Sequence, residues 1–158
     1  MSDNAQILAH LSQLGTPQNQ FADFLTDPSR GARLLNGLAT LDPTDTAYSS
    51  ADVFAAVQGL SRICDGLLAH LLEKHGGQER IRNRAPAEKL LALLRAGPVN
   101  DRKSLNRLIG TFYDDWPYAA HWRRDLYRIP QGGITAMALI FGGMQKLRDM
   151  MDEQSGLA

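Results

Sequence analysis

The chain has 158 residues, 44% of them hydrophobic and 22% charged, a balance that suits one globular domain and excludes a disordered or fibrous chain. Its 17 basic and 17 acidic residues cancel, so the mean charge favours no class of partner. The single cysteine, Cys64, excludes an internal disulfide, and no apolar run reaches the roughly 20 residues of a membrane-spanning helix.

The opening Met-Ser-Asp-Asn-Ala-Gln lacks a basic stretch followed by an apolar run. No secretory signal is therefore expected, and the predicted location is cytoplasmic. Asp3 is placed to cap a first helix with Ile7, Leu8, Leu11 and Leu14 on one face, ending at Gly15. Thr16-Pro17 opens a short helix that carries Phe21, Phe24 and Leu25. Asp27-Pro28 repeats the device before Leu34, Leu35, Leu38 and Leu41. Asp42 to Ser50 is short, polar and holds Pro43, which predicts a loop.

Ser49 or Ser50 caps the longest predicted helix, about Ala51 to His75. Val53, Val57, Leu60, Cys64, Leu67 and Leu71 alternate steps of four and three along it, the spacing of a heptad seam. Phe54, Ile63, Leu68 and Leu72 widen the stripe, so both flanks should be covered. Gly59 and Gly66 inside it each cost about 1 kcal/mol relative to alanine, a cost consistent with close approach of a neighbouring helix. Gly76-Gly77 ends the helix, and Gln78 to Ala85 is polar and arginine-rich.

Pro86 starts a helix with Leu90, Leu91, Leu93 and Leu94, closed by Gly97-Pro98. Asn100 is placed to cap the next, with Leu105, Leu108, Ile109 and Phe112 inward. Asp114 or Asp115 begins an aromatic helix with Trp116, Trp122, Leu126 and Tyr127. After Pro130 and Gly132-Gly133, a last helix runs from about Ile134 to Glu153 with Met137, Ile140, Met144, Leu147 and Met151 inward. Gly142-Gly143 permits a kink or a tight crossing, and Gln154 to Ala158 should fray.

The pattern predicts an all-α fold: a compact single-domain bundle of seven or eight helices, the two long heptad-patterned ones central. Residues 1–158 are expected to form one domain, in which 1–45 could be a small helical cap on a main bundle of 51–153.

The chemistry-bearing residues are few. His70 and Glu73 lie three apart on one helical face, the spacing of a carboxylate-bridged metal site in a helix bundle. Of the other glutamates, Glu79, Glu88 and Glu153, none has a histidine at ligand spacing. The competing reading is the solvated end of a long helix, where Lys74 and His75 suit the C-terminal dipole. Cys64 sits on the apolar seam, where a thiol serves as a small hydrophobe. Met137, Met144, Met150 and Met151 fit either an adaptable binding stripe or ordinary core. The chain lacks a Gly-rich phosphate loop, a nucleophile elbow and a zinc-ligand array. The expectation is a non-catalytic protein without metal or cofactor; the alternative is a helical-bundle enzyme or metal- or ligand-binding protein using His70 and Glu73.

Charge is unevenly spread. Residues 1–73 hold three basic against eight acidic residues, and residues 74–128 hold twelve against six. The basic third contains Arg80, Arg82 and Arg84, then Arg102, Lys103 and Arg107, then Arg123, Arg124 and Arg128 beside Trp122. Tyr113, Trp116, Tyr118 and Tyr127 lie among or beside the last two groups. Clustered arginine with aromatics is the footprint of contact with a phosphate backbone or single-stranded bases. A solvated face, or pairing with the acidic first half, would produce the same composition. The expected function is an interaction or assembly subunit whose basic segment meets an RNA or DNA backbone or an acidic protein surface. No membrane is expected as a partner. The glycines on apolar stripes also allow a homo-oligomer.

The run Ala87-Glu88-Lys89-Leu90-Leu91-Ala92-Leu93-Leu94-Arg95-Ala96 resembles a helix of the small helical subunit of CRISPR Cascade-type surveillance complexes. The resemblance covers these ten residues. It implies an all-helical fold with one basic face that contacts an RNA or DNA backbone without catalysis, and it assigns no functional residue.

Overall fold

The computed structural model of the chain describes residues 4–13, 37–45, 47–74, 84–115 and 133–157. They contain five helices: α1 (Asn4–Ser12), α2 (Ser50–Lys74), α3 (Arg84–Arg95), α4 (Arg102–Asp115) and α5 (Gly133–Leu157). A further helical turn spans 37–40, and no strand occurs among the described residues. The helices expected after Thr16-Pro17 and around Trp116–Tyr127 lie outside them.

Local chemistry explains the helix ends. Before α2, Ser49 Oγ accepts from the Asp52 N–H (3.2 Å) and Asp52 Oδ2 accepts from the Ser49 N–H (2.9 Å). This reciprocal box satisfies donors that the first turn would leave bare. Ahead of α4, Asp101 takes the role expected of Asn100. Its Oδ1 accepts from the Ser104 N–H (2.7 Å), and Ser104 Oγ donates to the Asp101 carbonyl (3.0 Å). The carboxylate one residue later reaches the first free N–H groups and complements the positive helix end.

Some expected boundaries shift, among them the start of α3, which opens at Arg84, two residues ahead of Pro86. α1 closes at Ser12, where the Gln13 N–H turns back to the His10 carbonyl (3.2 Å), ahead of Gly15. Asp114 and Asp115 are the last described residues of α4, and the aromatic helix expected to begin with them lies outside the described residues. α5 continues to Leu157 instead of stopping at Glu153, its last turns extending from buried Met150 and Met151 with no proline to interrupt them. Gly142-Gly143 lies within this continuous helix.

α2 packs on α3, α3 on α4, α4 on α5 and α5 back on α2, while α1 lies on α2. Such a ring of neighbours encloses an apolar interior, because each amphipathic helix turns its stripe inward. α2 contributes Val53, Val57, Leu60, Cys64 and Leu68, all buried. The side chains of Leu67 and Leu71 lie outside the described ones. The same interior holds Leu105, Leu108 and Phe112 from α4 and Ile140, Phe141, Met144 and Leu147 from α5, also buried. Phe112 and Phe141 stack with centroids 4.2 Å apart and planes 11° from parallel, joining α4 to α5. Tyr48, buried after the 41–45 loop, donates its hydroxyl to the Met150 carbonyl (3.1 Å) and ties that segment to α5.

Two glycines mark close crossings. A methyl on Gly59 would overlap the carbonyl oxygen of Leu11, so α1 and α2 touch backbone to backbone there. A methyl on Gly143 would lie 2.8 Å and 2.9 Å from the Leu38 methyl groups, so the 37–40 turn rests on α5. Lys146 then donates to the Leu38 carbonyl (2.6 Å), satisfying a group at the end of that turn. Among the described residues no helix is long and apolar enough to cross a membrane.

Candidate anionic-partner interface

Of the residues expected to meet an anionic partner, Arg102, Lys103 and Arg107 have described side chains, all exposed on the first two turns of α4. Arg80, Arg82, Trp122, Arg123, Arg124 and Arg128 lie outside the described residues. Of Arg84 only the backbone, which opens α3, is described. The apolar face of α4 holds Leu105, Leu108, Ile109 and Phe112 in the core, and helical periodicity leaves the cations on the solvent side. Lys103 and Arg107 are four residues apart and therefore neighbours on one face.

The cations of this region are not equally available. Arg95, at the end of α3, makes a two-pronged pair with Asp65 of α2, its Nε and Nη2 each 2.9 Å from a carboxylate oxygen. That hydrogen bond to Asp65 raises the Arg95 pKa further. Here the basic third does pair with the acidic first half, as one reading of the charge gradient expects. With 55% of the Arg95 side chain exposed, the pair is solvent-screened and adds little stability. Arg102 pairs with Asp152 of α5. Lys103 lies close enough to Asp101 to favour that carboxylate, though the Asp101 pKa is lowered chiefly by its hydrogen bonds with Ser104. Arg148 donates to Asn106 Oδ1 (3.0 Å) on the same outer surface of α4. Arg107 has no hydrogen bond or ion pair among the described residues.

Arg107 also borders a shallow cleft that the sequence did not reveal. The chain turns from α3 into α4 through Ala96-Gly97-Pro98-Val99, and this corner, with Leu93, Ser104 and Leu108, encloses about 180 Å³. The only sequence signal was Gly97-Pro98 between two amphipathic helices, which marks a turn but not a recess.

Among the described residues no three His, Cys, Asp or Glu side chains converge as a metal site would require. The backbone of α2 carries His70 and Glu73 one turn apart near its end, but their side chains lie outside the described ones. Burial, and secondarily the adjacent Asp65 charge, push the Cys64 thiol far above its ordinary value. A nucleophilic thiolate needs the opposite surroundings.

No family model, no curated protein and no solved structure matches the chain. The likeness of Ala87–Ala96 to a CRISPR small-subunit helix rests on those residues of α3 and its flank alone.

Proposed function

We propose that this protein is a non-catalytic interaction or assembly subunit, one helical bundle of seven or eight helices whose basic segment docks an anionic partner. The observation that carries this reading is Arg107, exposed one turn from Lys103 and without an ionic partner among the described residues, while Arg95 and Arg102 are already paired. An unpaired guanidinium offers a planar set of donors to a phosphate or carboxylate. The arginine-rich stretches at 80–84 and 123–128 would extend the same charge.

The test is identification of what co-purifies with the native protein, with and without nuclease, followed by salt-dependent binding. A nucleic-acid partner gives affinity that falls steeply as salt rises, because bound phosphates release counterions. An acidic protein survives nuclease and is retained. The reading fails if nothing anionic is retained at low salt and if Lys103→Ala/Arg107→Ala and Arg123→Ala/Arg124→Ala both behave as wild type.

A further inference from the structure

We infer that the anionic partner is a second copy of this chain, the solvent face of α4 in one copy lying antiparallel on the solvent face of α5 in the other. This rests on the anionic-partner reading above and names the partner within it.

The glycines supply the motivating contrast. A Cβ on Gly59 or Gly143 would run into Leu11 or Leu38, whereas a Cβ on Gly110 of α4 or Gly142 of α5 meets nothing within 4 Å. Gly110 lies opposite the buried side of α4, formed by Leu105, Leu108 and Phe112, and Gly142 opposite that of α5, formed by Ile140, Met144 and Leu147. A glycine inside a helix costs about 1 kcal/mol relative to alanine, and packing within the chain offsets nothing at these two places. A crossing at Gly110 and Gly142 offsets it, because two helix backbones without intervening side chains approach closely.

Charge fixes the partner and its direction. Lys103 and Arg107 precede Gly110 by seven and three residues, and Gln145 and Asp149 follow Gly142 by three and seven. With Gly110 on Gly142 and the helices antiparallel, Arg107 meets Gln145 and Lys103 meets Asp149. Run parallel, Lys103 and Arg107 would face Thr135 and Leu139, which carry no charge. Lys146, which could then meet Asp114, is already bonded to the Leu38 carbonyl (2.6 Å). Lys103 and Arg107 are exposed, and the Asp149 side chain is 68% exposed with Arg148 Nε no nearer than 3.8 Å. A nucleic acid would satisfy Lys103 and Arg107 but gives no account of Gly142 and Asp149. Each copy offers one face of each kind, so the contact is heterologous and repeats from copy to copy. A small polar contact of this kind is weak and salt-sensitive.

The test is light scattering coupled to size exclusion on the nuclease-treated full chain, over a concentration series reaching the low-millimolar range. The mean mass should rise above that of the monomer with concentration at low salt and return to it at high salt. Lys103→Glu/Arg107→Glu and Asp149→Lys should each be monomeric alone. Their equimolar mixture should associate again, since reversed faces then meet each other and so do the unreversed ones, an outcome that misfolding cannot imitate. Gly110→Leu and Gly142→Leu should each abolish association with helical circular dichroism unchanged, because both positions are open within the chain. Association that survives the charge reversals, or a mixture that stays monomeric, overturns the second-copy assignment. A wild-type chain that is monomeric throughout yet retains RNA, DNA or an acidic protein at low salt overturns it too and leaves the anionic-partner reading standing. If that monomer retains nothing anionic, both fall together.

Discussion

Gly59 lies directly beneath Leu11: a methyl group on it would overlap the Leu11 carbonyl oxygen and come within 3.0 Å of Ser12 Cα. Arg62, three residues on, donates to the Ser12 carbonyl (2.6 Å), so the end of α1 is held where α2 has no side chain to keep it away. This contact explains why α2 tolerates a residue that weakens helices.

Gly59→Ala and Gly142→Ala should therefore move stability in opposite directions. Alanine gains up to about 1 kcal/mol in a helix interior. At Gly142 a Cβ meets nothing within 4 Å, so that gain is kept. At Gly59 it is outweighed by overpacking of about 1–3 kcal/mol, because the obstructing atoms are backbone and the whole of α1 must shift. Urea unfolding of both variants checks the contrast. A stabilised Gly59→Ala would mean that α1 is not seated there.

Asn4 should be the most sensitive polar residue of the N-terminal segment. It is fully buried, and its Nδ2 donates to the carbonyls of Asp42 (2.7 Å) and Asp45 (2.8 Å) while Oδ1 accepts from the Asp42 N–H (2.9 Å). Alanine there strands buried backbone groups, at a cost of about 1–3 kcal/mol. Asn4→Asp should be at least as harmful, since a carboxylate cannot donate to two carbonyls. Thermal melts measure the loss, and amide exchange should place the earliest opening at α1. Unchanged exchange in α1 would refute the assignment.

Cys64 should be silent toward thiol reagents in the native state. Burial disfavours the thiolate, which is the reactive form. Labelling with a chromogenic disulfide reagent at pH 8 should follow the rate of unfolding rather than reagent concentration, and become immediate in denaturant. Rapid stoichiometric labelling of folded protein would contradict the buried position.

Acid should weaken the fold through Asp42 and Asp101. Hydrogen bonds from Thr44 and Ser104 respectively hold these carboxyls below their ordinary value of 3.8. A depressed folded-state pKa means that the ionised form is favoured by folding. The stabilisation is thus complete above the ordinary value and lost as pH falls through the lower folded one. Urea midpoints should drop between about pH 5 and pH 3, and Asp101→Asn should flatten that drop. An Asp101→Asn profile identical to wild type would show that the α4 cap is not ionic.

The capping residues show how local information divides from tertiary information. A cap at Ser49 or Ser50 and the apolar positions Val53, Val57, Leu60 and Cys64 could be read from spacing, because a helix start and a buried stripe depend on neighbours within a few residues. The choice of Asp101 over Asn100 could not, since either residue type caps and only the path of the chain decides which side chain meets the free N–H groups. Pairings far apart in the chain were equally hidden. Nothing local links Asn4 to Asp42, Asp65 to Arg95, or Tyr48 to Met150, and each exists because folding brings distant segments together.

Composition and periodicity by themselves determined the helical class, the buried stripe of α2 and the concentration of positive charge in residues 74–128, properties carried by residue type and local spacing. Only the tertiary structure decided which glycines mark crossings, which cations are already paired and where a recess opens. Gly59 and Gly142 read alike as residues, yet one lies against the backbone of α1 and the other faces open space. Arg95 and Arg107 both belong to the basic segment, yet among the described residues only Arg95 meets a carboxylate, because α3 brings it beside α2 while the turn into α4 leaves Arg107 on the outer face.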